Sequence, residues 1–293
     1  MSNIIFPEGV TWTQRYITGG DFLTSGDSIT KMGNLYRDAV NEVIIVGFDT
    51  PTNMTNAFYE CNEVKNIFGL DTSNVTNMLN AFKQCWVLVE IPQLDTSNVT
   101  TMNGIFYECK AITSIPQLDT SNVTTMNEMF RGCESLQTVP LFDTSNVTNM
   151  SYMFYGCKKL TTIPAFDTSK VTSFSDMFNN ATNIISIPLL DCSKVNYGSN
   201  INLFSSTTMT YLTDLGGFKD LGMVKGFNKP SYFLRNCPNL TKDSVLNVLN
   251  NLYDRKTAGY SVVTLPFHAN ALALLSDEEK AIATNKGWTL ATS

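Results

Sequence analysis

The chain has 293 residues, 43% of them apolar and only 16% charged, with a formal net charge of −6. Few and scattered Lys and Arg argue against nucleic acid as a partner, because phosphate binding rests on clustered cations. A single histidine, His268, leaves no His-rich metal site and only one imidazole for a nucleophile–base pair.

Charge is scarce relative to the roughly 25% of an ordinary soluble domain, and uncharged polar residues, 35 Thr and 30 Asn, take its place. The start, Met1 to Glu8, has neither a basic n-region nor an apolar stretch, and no run of about 18 apolar residues occurs anywhere. The chain is therefore expected to insert in no membrane and to carry no conventional export signal.

Residues 1–42 do not fit the pattern that follows. Trp12, Tyr16, Phe22, Leu35 and Tyr36 mark them as an ordered N-terminal segment, expected to serve as an anchor.

From 43 to 240 the sequence repeats. Asp71, Asp95, Asp119, Asp143, Asp167 and Asp191 stand 24 residues apart, and each opens a unit that begins with Asp followed by Thr or Cys, then Ser. Such a period is the signature of a solenoid, whose units bury their apolar faces only against their neighbours. In the unit from Asp119, Met126, Met129, Phe130 and Cys133 fall at i, i+3, i+4 and i+7, which predicts a short helix. Leu136 to Pro140 is too short for a second helix and predicts a strand. Stacked, these units predict an α/β solenoid with a parallel β-sheet on one face and short helices on the other. Asp-Thr-Ser-Asn is turn chemistry, with the Asp side chain bonding nearby amides. The array frays at both ends: the unit from Asp49 is two residues short, that from Asp191 gains two, and a last echo runs from Leu234 to Leu240.

From 241 to 293 the period disappears. Thr241 can cap a helix through about Arg255, Ser261 to Phe267 reads as a strand, and Ser276 with Glu279 forms a capping box for a final helix. Gly287 closes that helix before Trp288, so the region is expected to form an α+β C-terminal cap.

The units, Asp-Thr-Ser-Asn-Val-Thr-x-Met…Met-Phe-x-x-Cys-x-x-Leu-x-x-Ile-Pro, closely resemble the leucine-rich repeats of BspA-like surface proteins over about residues 49 to 240. The resemblance implies a leucine-rich-repeat array in a non-enzymatic adhesin or surface-recognition protein. Residues 275–290 are also similar to a tail found on such proteins in phages and prophages. That implies display on a virion, with the bacterial cell surface as the alternative place. A protein or glycan on a host surface, or other virion proteins, are then the expected partners.

The cysteine ladder of Cys61, Cys85, Cys109, Cys133 and Cys157 shares its register with Phe82, Phe106, Phe130 and Phe154. Five equivalent positions cannot all pair, so free buried thiols are expected, and no closely spaced cysteine pairs suggest zinc. The aspartates Asp71, Asp95, Asp119, Asp143 and Asp167 supply one carboxylate per unit and no glycine, which fits a turn better than calcium. No metal, cofactor or catalytic residue is expected. For binding, the candidates are a hydroxyl-rich stripe, Thr113, Gln137 and Thr161, and an aromatic ridge, Tyr59, Tyr107 and Tyr155. Tyr107 and Tyr155 are expected to be dispensable for stability.

Overall fold

The computed structural model describes residues 16–18, 42–46, 51–62, 64–68, 70–195, 203–204, 208–221, 223 and 232–292. Among these, the 24-residue sequence period becomes a hydrogen-bonding period. Met78 N–H donates to the Thr101 carbonyl at 3.0 Å, Asn80 to Asn103 at 2.9 Å, Phe82 to Ile105 at 2.9 Å and Gln84 to Tyr107 at 2.6 Å. The same set recurs in the next coils, for example Met126 to Asn149 and Phe130 to Met153, both at 3.0 Å. Over this stretch, alternate amides thus reach the next coil, and the amides between them close turns on themselves: Ala81 donates to Met78, Lys83 to Asn80 and Cys85 to Phe82.

This arrangement replaces the short helix predicted over Met126 to Cys133. Two residues per coil adopt the left-handed conformation, Asn80 and Gln84, Gly104 and Glu108, Glu128 and Gly132, Tyr152 and Gly156, Asp176 and Asn180. A right-handed α-helix admits no such residue. Consecutive turns with left-handed corners bury the same i, i+3, i+4 and i+7 side chains, so the burial pattern was right and the backbone was not.

The predicted strand over Leu136–Pro140 is also absent. Its place shows one bond to the previous coil, Gln137 N–H to the Thr113 carbonyl at 2.9 Å. Pro140, which recurs as Pro92, Pro116, Pro164 and Pro188, has no N–H to extend a ladder. Parallel bridges run instead along Asn53, Asn77, Thr101, Thr125, Asn149 and Ser173, at another arc of the coil. Beside them, Thr100 N–H and Oγ1 both donate to the Thr76 carbonyl, at 2.9 Å and 3.2 Å, and Thr124, Thr148 and Thr172 repeat the contact.

Regular strands appear only toward the ends. In the N-terminal part, β1 (Tyr16–Thr18), β2 (Glu42–Val46) and β3 (Asn66–Phe68) form one parallel sheet in that order. Glu42 faces Asn66, so β2 keeps the 24-residue register, and Tyr16 faces Ile44. The parallel stacking thus enters the 1–42 segment, most of which lies outside the described residues. After the regular units, β4 (Ser186–Ile187) pairs with β6 (Asp214–Leu215) and β5 (Leu190–Asp191) with β7 (Phe218–Lys219), again in parallel.

A 3₁₀ turn, Tyr232–Asn236, then stacks on the array, with Met209 N–H donating to the Asn236 carbonyl at 2.8 Å. Helix α1 (Lys242–Asn251), shorter than predicted, begins at its N-cap Thr241 and packs on β6 and β7. Its Ser244 Oγ accepts from Leu215 N–H at 2.9 Å and donates to the Thr213 carbonyl at 3.0 Å, satisfying backbone groups that a further coil would otherwise meet. β8 (Val263–Phe267) pairs in parallel with β9 (Trp288–Thr292), connected through α2 (Ala269–Ala273) and α3 (Asp277–Asn285). The Ser276–Glu279 capping box opens α3, and Gly287 follows it at φ 80°. Arg255, beyond the end of α1, is 1% exposed, donates from Nε to the Ser261 carbonyl and lies beside the Tyr260 and Trp288 rings.

The core is one continuous cluster. Its spine is a column of stacked rings: Phe58, Phe82, Phe106, Phe130, Phe154 and Phe178, with neighbouring centroids 5.2 to 5.8 Å apart and planes within 14°. Phe204 continues it at 6.1 Å with a 36° tilt, where the two-residue insertion disturbs the register. Each aromatic pair adds about 0.5–1.5 kcal/mol beyond the area it buries. Phe130 stacks on Phe106, Phe154 and Phe142, so Phe130→Ala breaks three pairs and is expected to cost about 3–5 kcal/mol in urea denaturation.

Buried threonines give a sharper comparison. Thr120 Oγ1 and Thr144 Oγ1 donate to the carbonyls of Asp143 and Asp167, at 2.9 Å and 2.8 Å, whereas the buried Thr96 hydroxyl has no partner. Thr120→Val should therefore lose about 1 kcal/mol, and Thr96→Val should be neutral or stabilising in the same assay.

Candidate binding face

Immediately after each spine phenylalanine, the next side chain turns outward. Reading that position coil by coil gives Tyr59, Lys83, Tyr107, Arg131, Tyr155 and Asn179. Tyrosine and cation alternate. Lys83 Nζ lies 5.9 Å from the Tyr59 ring centre and 4.3 Å from that of Tyr107. The Arg131 guanidinium lies 5.2 Å from Tyr107, 4.8 Å from Tyr155 and 5.2 Å from Tyr152, and it also pairs with Glu128. Burial pushes the Tyr107 hydroxyl above its ordinary pKa, partly opposed by Arg131.

The three tyrosines that the sequence singled out are thus brought into one column, but not as a bare aromatic ridge. Each gap between them holds a cation, and all five side chains are half-buried. Tyr107 and Tyr155, expected from the sequence to be dispensable for stability, both contact the Arg131 guanidinium, so truncating either removes packing as well as an outward ring. The signal was legible in the register itself, since Lys83 and Arg131 occupy the Tyr position in alternate units.

Beside the column a groove of about 320 Å³ opens over Gly132 and Gly156. Tyr155 and Arg131 line one side, the Glu134–Lys158 ion pair at 2.9 Å lines the other, and Glu108 and Asn180 stand at its ends. Asn180 Nδ2 donates to the Tyr155 hydroxyl at 3.1 Å, and Gln84 Nε2 donates to Glu108 Oε2 at 3.1 Å. None of the groove residues except Tyr155 was singled out in the sequence, because a groove made by missing side chains leaves no motif. Lys110, at its margin, sits 4.7 Å over the exposed Trp86 ring.

The stripe of Thr113, Gln137 and Thr161 is exposed along its length, with Val89 and Ile185 extending it. It shares no lining residue with the groove. Backbone bonds tie it in pairs, Thr113 to Gln137 and Thr161 to Ile185.

The aspartates sit at the turns. Asp71, Asp95, Asp119, Asp143 and Asp167 each accept, through Oδ1, the N–H of the serine two residues on, at 2.9 to 3.1 Å. At Asp95, Asp119 and Asp143, the serine hydroxyl and amide hold the carboxyl below its ordinary pKa. Asn98, Asn122 and Asn146 donate from Nδ2 to the preceding coil's serine carbonyl, at 2.7 to 2.9 Å. Among the described residues, no three His, Cys, Asp or Glu side chains group closely enough to hold a metal ion. His268 is the N-cap of α2, its Nδ1 accepting from Asn270 N–H at 3.2 Å.

All seven cysteines are buried and none is in a disulfide. Cys85, Cys109, Cys133 and Cys157 each donate from Sγ to a phenylalanine carbonyl of the preceding coil, at 3.0 to 3.1 Å. Burial pushes these thiols well above their ordinary pKa, and that of Cys192 likewise.

Three overlapping stretches, residues 52–138, 81–189 and 108–211, match the family described as Mycoplasma protein of unknown function, DUF285, and together span more than half of the chain. The chain belongs to this family. The DUF285 match takes in the regular coils and the Tyr–cation column, and it ends before the C-terminal cap. A leucine rich cell surface protein from Faecalibacterium prausnitzii A2-165, solved by crystallography, aligns with 98% of this chain and 87% of its own at 18% identity, with a TM-score of 0.37. No curated protein matches the chain. No helix among the described residues is long and apolar enough to cross a membrane.

Three measurements follow from the site. Tyr107→Ala removes two cation–π contacts and is expected to lower stability by about 1–2 kcal/mol in urea denaturation. A thiol reagent should find almost no reactive cysteine in the folded chain and all seven in denaturant. The carboxyls of Asp95, Asp119, Asp143 and Asp167 are depressed in the folded state, so their contribution is complete above about pH 4 and is lost as pH falls through the lower folded values. Urea midpoints should therefore hold steady from neutral pH to about pH 5 and then drop between about pH 4 and 2.

Proposed function

We propose that the chain is a leucine-rich repeat solenoid of the BspA-like kind and works as a non-enzymatic binding protein, presenting its outer face to a protein or glycan on a host surface. The observation that carries this reading is the repetition of outward positions. One backbone register sets the same side-chain sites at every coil, so a long face varies in chemistry without disturbing the apolar interior. Repeat arrays use such extended surfaces for recognition. The lone imidazole is committed to a helix cap, and neither cofactor nor nucleic acid is needed by anything along the face.

Virion display is the proposed setting, from the similarity of residues 275–290 to tails of phage proteins. Other virion proteins would then be partners. A second reading, the bacterial cell surface, is favoured by membership of a family described from mycoplasmas.

Labelled protein incubated with intact host-type cells should bind saturably, and protease or periodate treatment of the cells should abolish binding. Absence of saturable binding to any candidate surface would sink the binding role. Mass spectrometry of purified particles and of cell envelopes tests the setting, and a chain abundant in envelopes but missing from particles would rule out the virion.

A further inference from the structure

We propose that the groove over Gly132 and Gly156 is a sugar subsite, taking one uncharged pyranose unit of a surface glycan; this rests on the binding role proposed above. The first support is an absence of side chains that conformation does not demand. In neighbouring coils the equivalent positions are Gln84, Glu108 and Asn180, at φ 62°, 54° and 61°, close to Gly132 at 75° and Gly156 at 72°. A left-handed corner therefore accepts a side chain here. Nor does packing exclude one at Gly156, where an added Cβ would meet nothing nearer than Gly132 Cα at 3.6 Å. The missing side chain relieves no clash. What it does is leave the floor of the groove open. At Gly132 an added Cβ would come within 2.8 Å of Glu108 Cγ, so glycine there keeps Glu108 in its place at the groove end.

The second support is the chemistry of the walls. Most of their charges are engaged inside the protein: Lys158 pairs with Glu134 and Arg131 with Glu128, Glu108 accepts from the neutral Gln84 amide, and Lys110 lies over the Trp86 ring. An anionic ligand would have to compete with Glu134 and Glu128 for the paired cations and would be repelled by Glu108, and a cationic one would be repelled by Arg131, Lys158 and Lys110. A polyol has no such conflict, because each hydroxyl both donates and accepts and can bond to both members of an intact pair. An apolar ligand would strip water from the paired charges without replacing its hydrogen bonds. Tyr155 adds an aromatic ring and a hydroxyl whose position is fixed by Asn180.

Size agrees. About 320 Å³ falls at the lower end of small-ligand pockets, whereas a protein partner would cover about 800 Å² of each surface. One ring of a longer glycan fits the groove, and the exposed margins beyond Glu108 and Asn180 are where its neighbours would run.

Saturation-transfer NMR with the methyl glycosides of glucose, galactose, mannose and N-acetylglucosamine, each at millimolar concentration, tests the assignment on the full chain. Wild type should saturate at least one of them. Gly156→Asn, which installs the side chain found at Asn180, should lower the urea midpoint slightly while keeping the chain folded, and cut the signal at least tenfold. Lys158→Met, which leaves the backbone untouched, should also cut it at least threefold. The proposal is overturned if no neutral glycoside is saturated, if Gly156→Asn and Lys158→Met both keep the full signal, or if only glucuronic acid or sialic acid binds. Cell binding by wild type without any glycoside signal overturns the subsite and leaves the wider binding role standing; loss of both defeats the two together.

Discussion

The structure depends on one constraint: the amides of alternate residues in each coil must reach carbonyls in the next. That requirement fixes the spacing between coils and hence the 24-residue register. With the register set, identical side chains fall above one another, and phenylalanine meets phenylalanine at 5.2 to 5.8 Å along the regular coils. A one-residue slip would turn the rings outward and separate every donor from its acceptor. The two-residue insertion after Asp191 shows the effect on a small scale, since Phe204 joins the column with its plane tilted by 36°.

The same constraint explains residues that look unusual alone. A coil that sends alternate amides of one stretch, such as Met78 to Gln84, to its neighbour must bend there without a helix, and it does so through two left-handed corners. Those corners tolerate Glu, Gln, Tyr and Asp as well as Gly and Asn, because the surrounding hydrogen bonds outweigh the cost of each strained residue. Cysteine recurs beneath them for a related reason. Its side chain is small enough for the closed interior and still donates a hydrogen bond to a phenylalanine carbonyl of the preceding coil. The outward column follows from the register too, because a cation placed between two tyrosines of adjoining coils lies near both rings.

Much of this was legible from the sequence and some was not. The aspartate turns could be read because they are local: a carboxylate and an amide two residues away need no distant partner. The buried positions could be read because apolar spacing reports which side chains point inward. The backbone path could not, since a helix and a run of left-handed turns bury the same offsets of Met126, Met129, Phe130 and Cys133. The strand expected at Leu136–Pro140 failed on a point visible in the sequence, the missing N–H of Pro140. The groove was invisible because Gly132 and Gly156 act through what they lack, and their effect depends on walls supplied by four coils.

By itself, then, the sequence determined the period, the interior ladders of Phe and Cys, the aspartate turns and the caps at Thr241 and Ser276. All of these depend on spacing within one unit or on repetition of that unit. Only the tertiary structure decided where the parallel bridges run, how the corners are made, and that Tyr59, Tyr107 and Tyr155 are interleaved with Lys83 and Arg131. Those outcomes depend on which groups face one another across coils, 23 or 24 residues apart, and no local pattern carries that information.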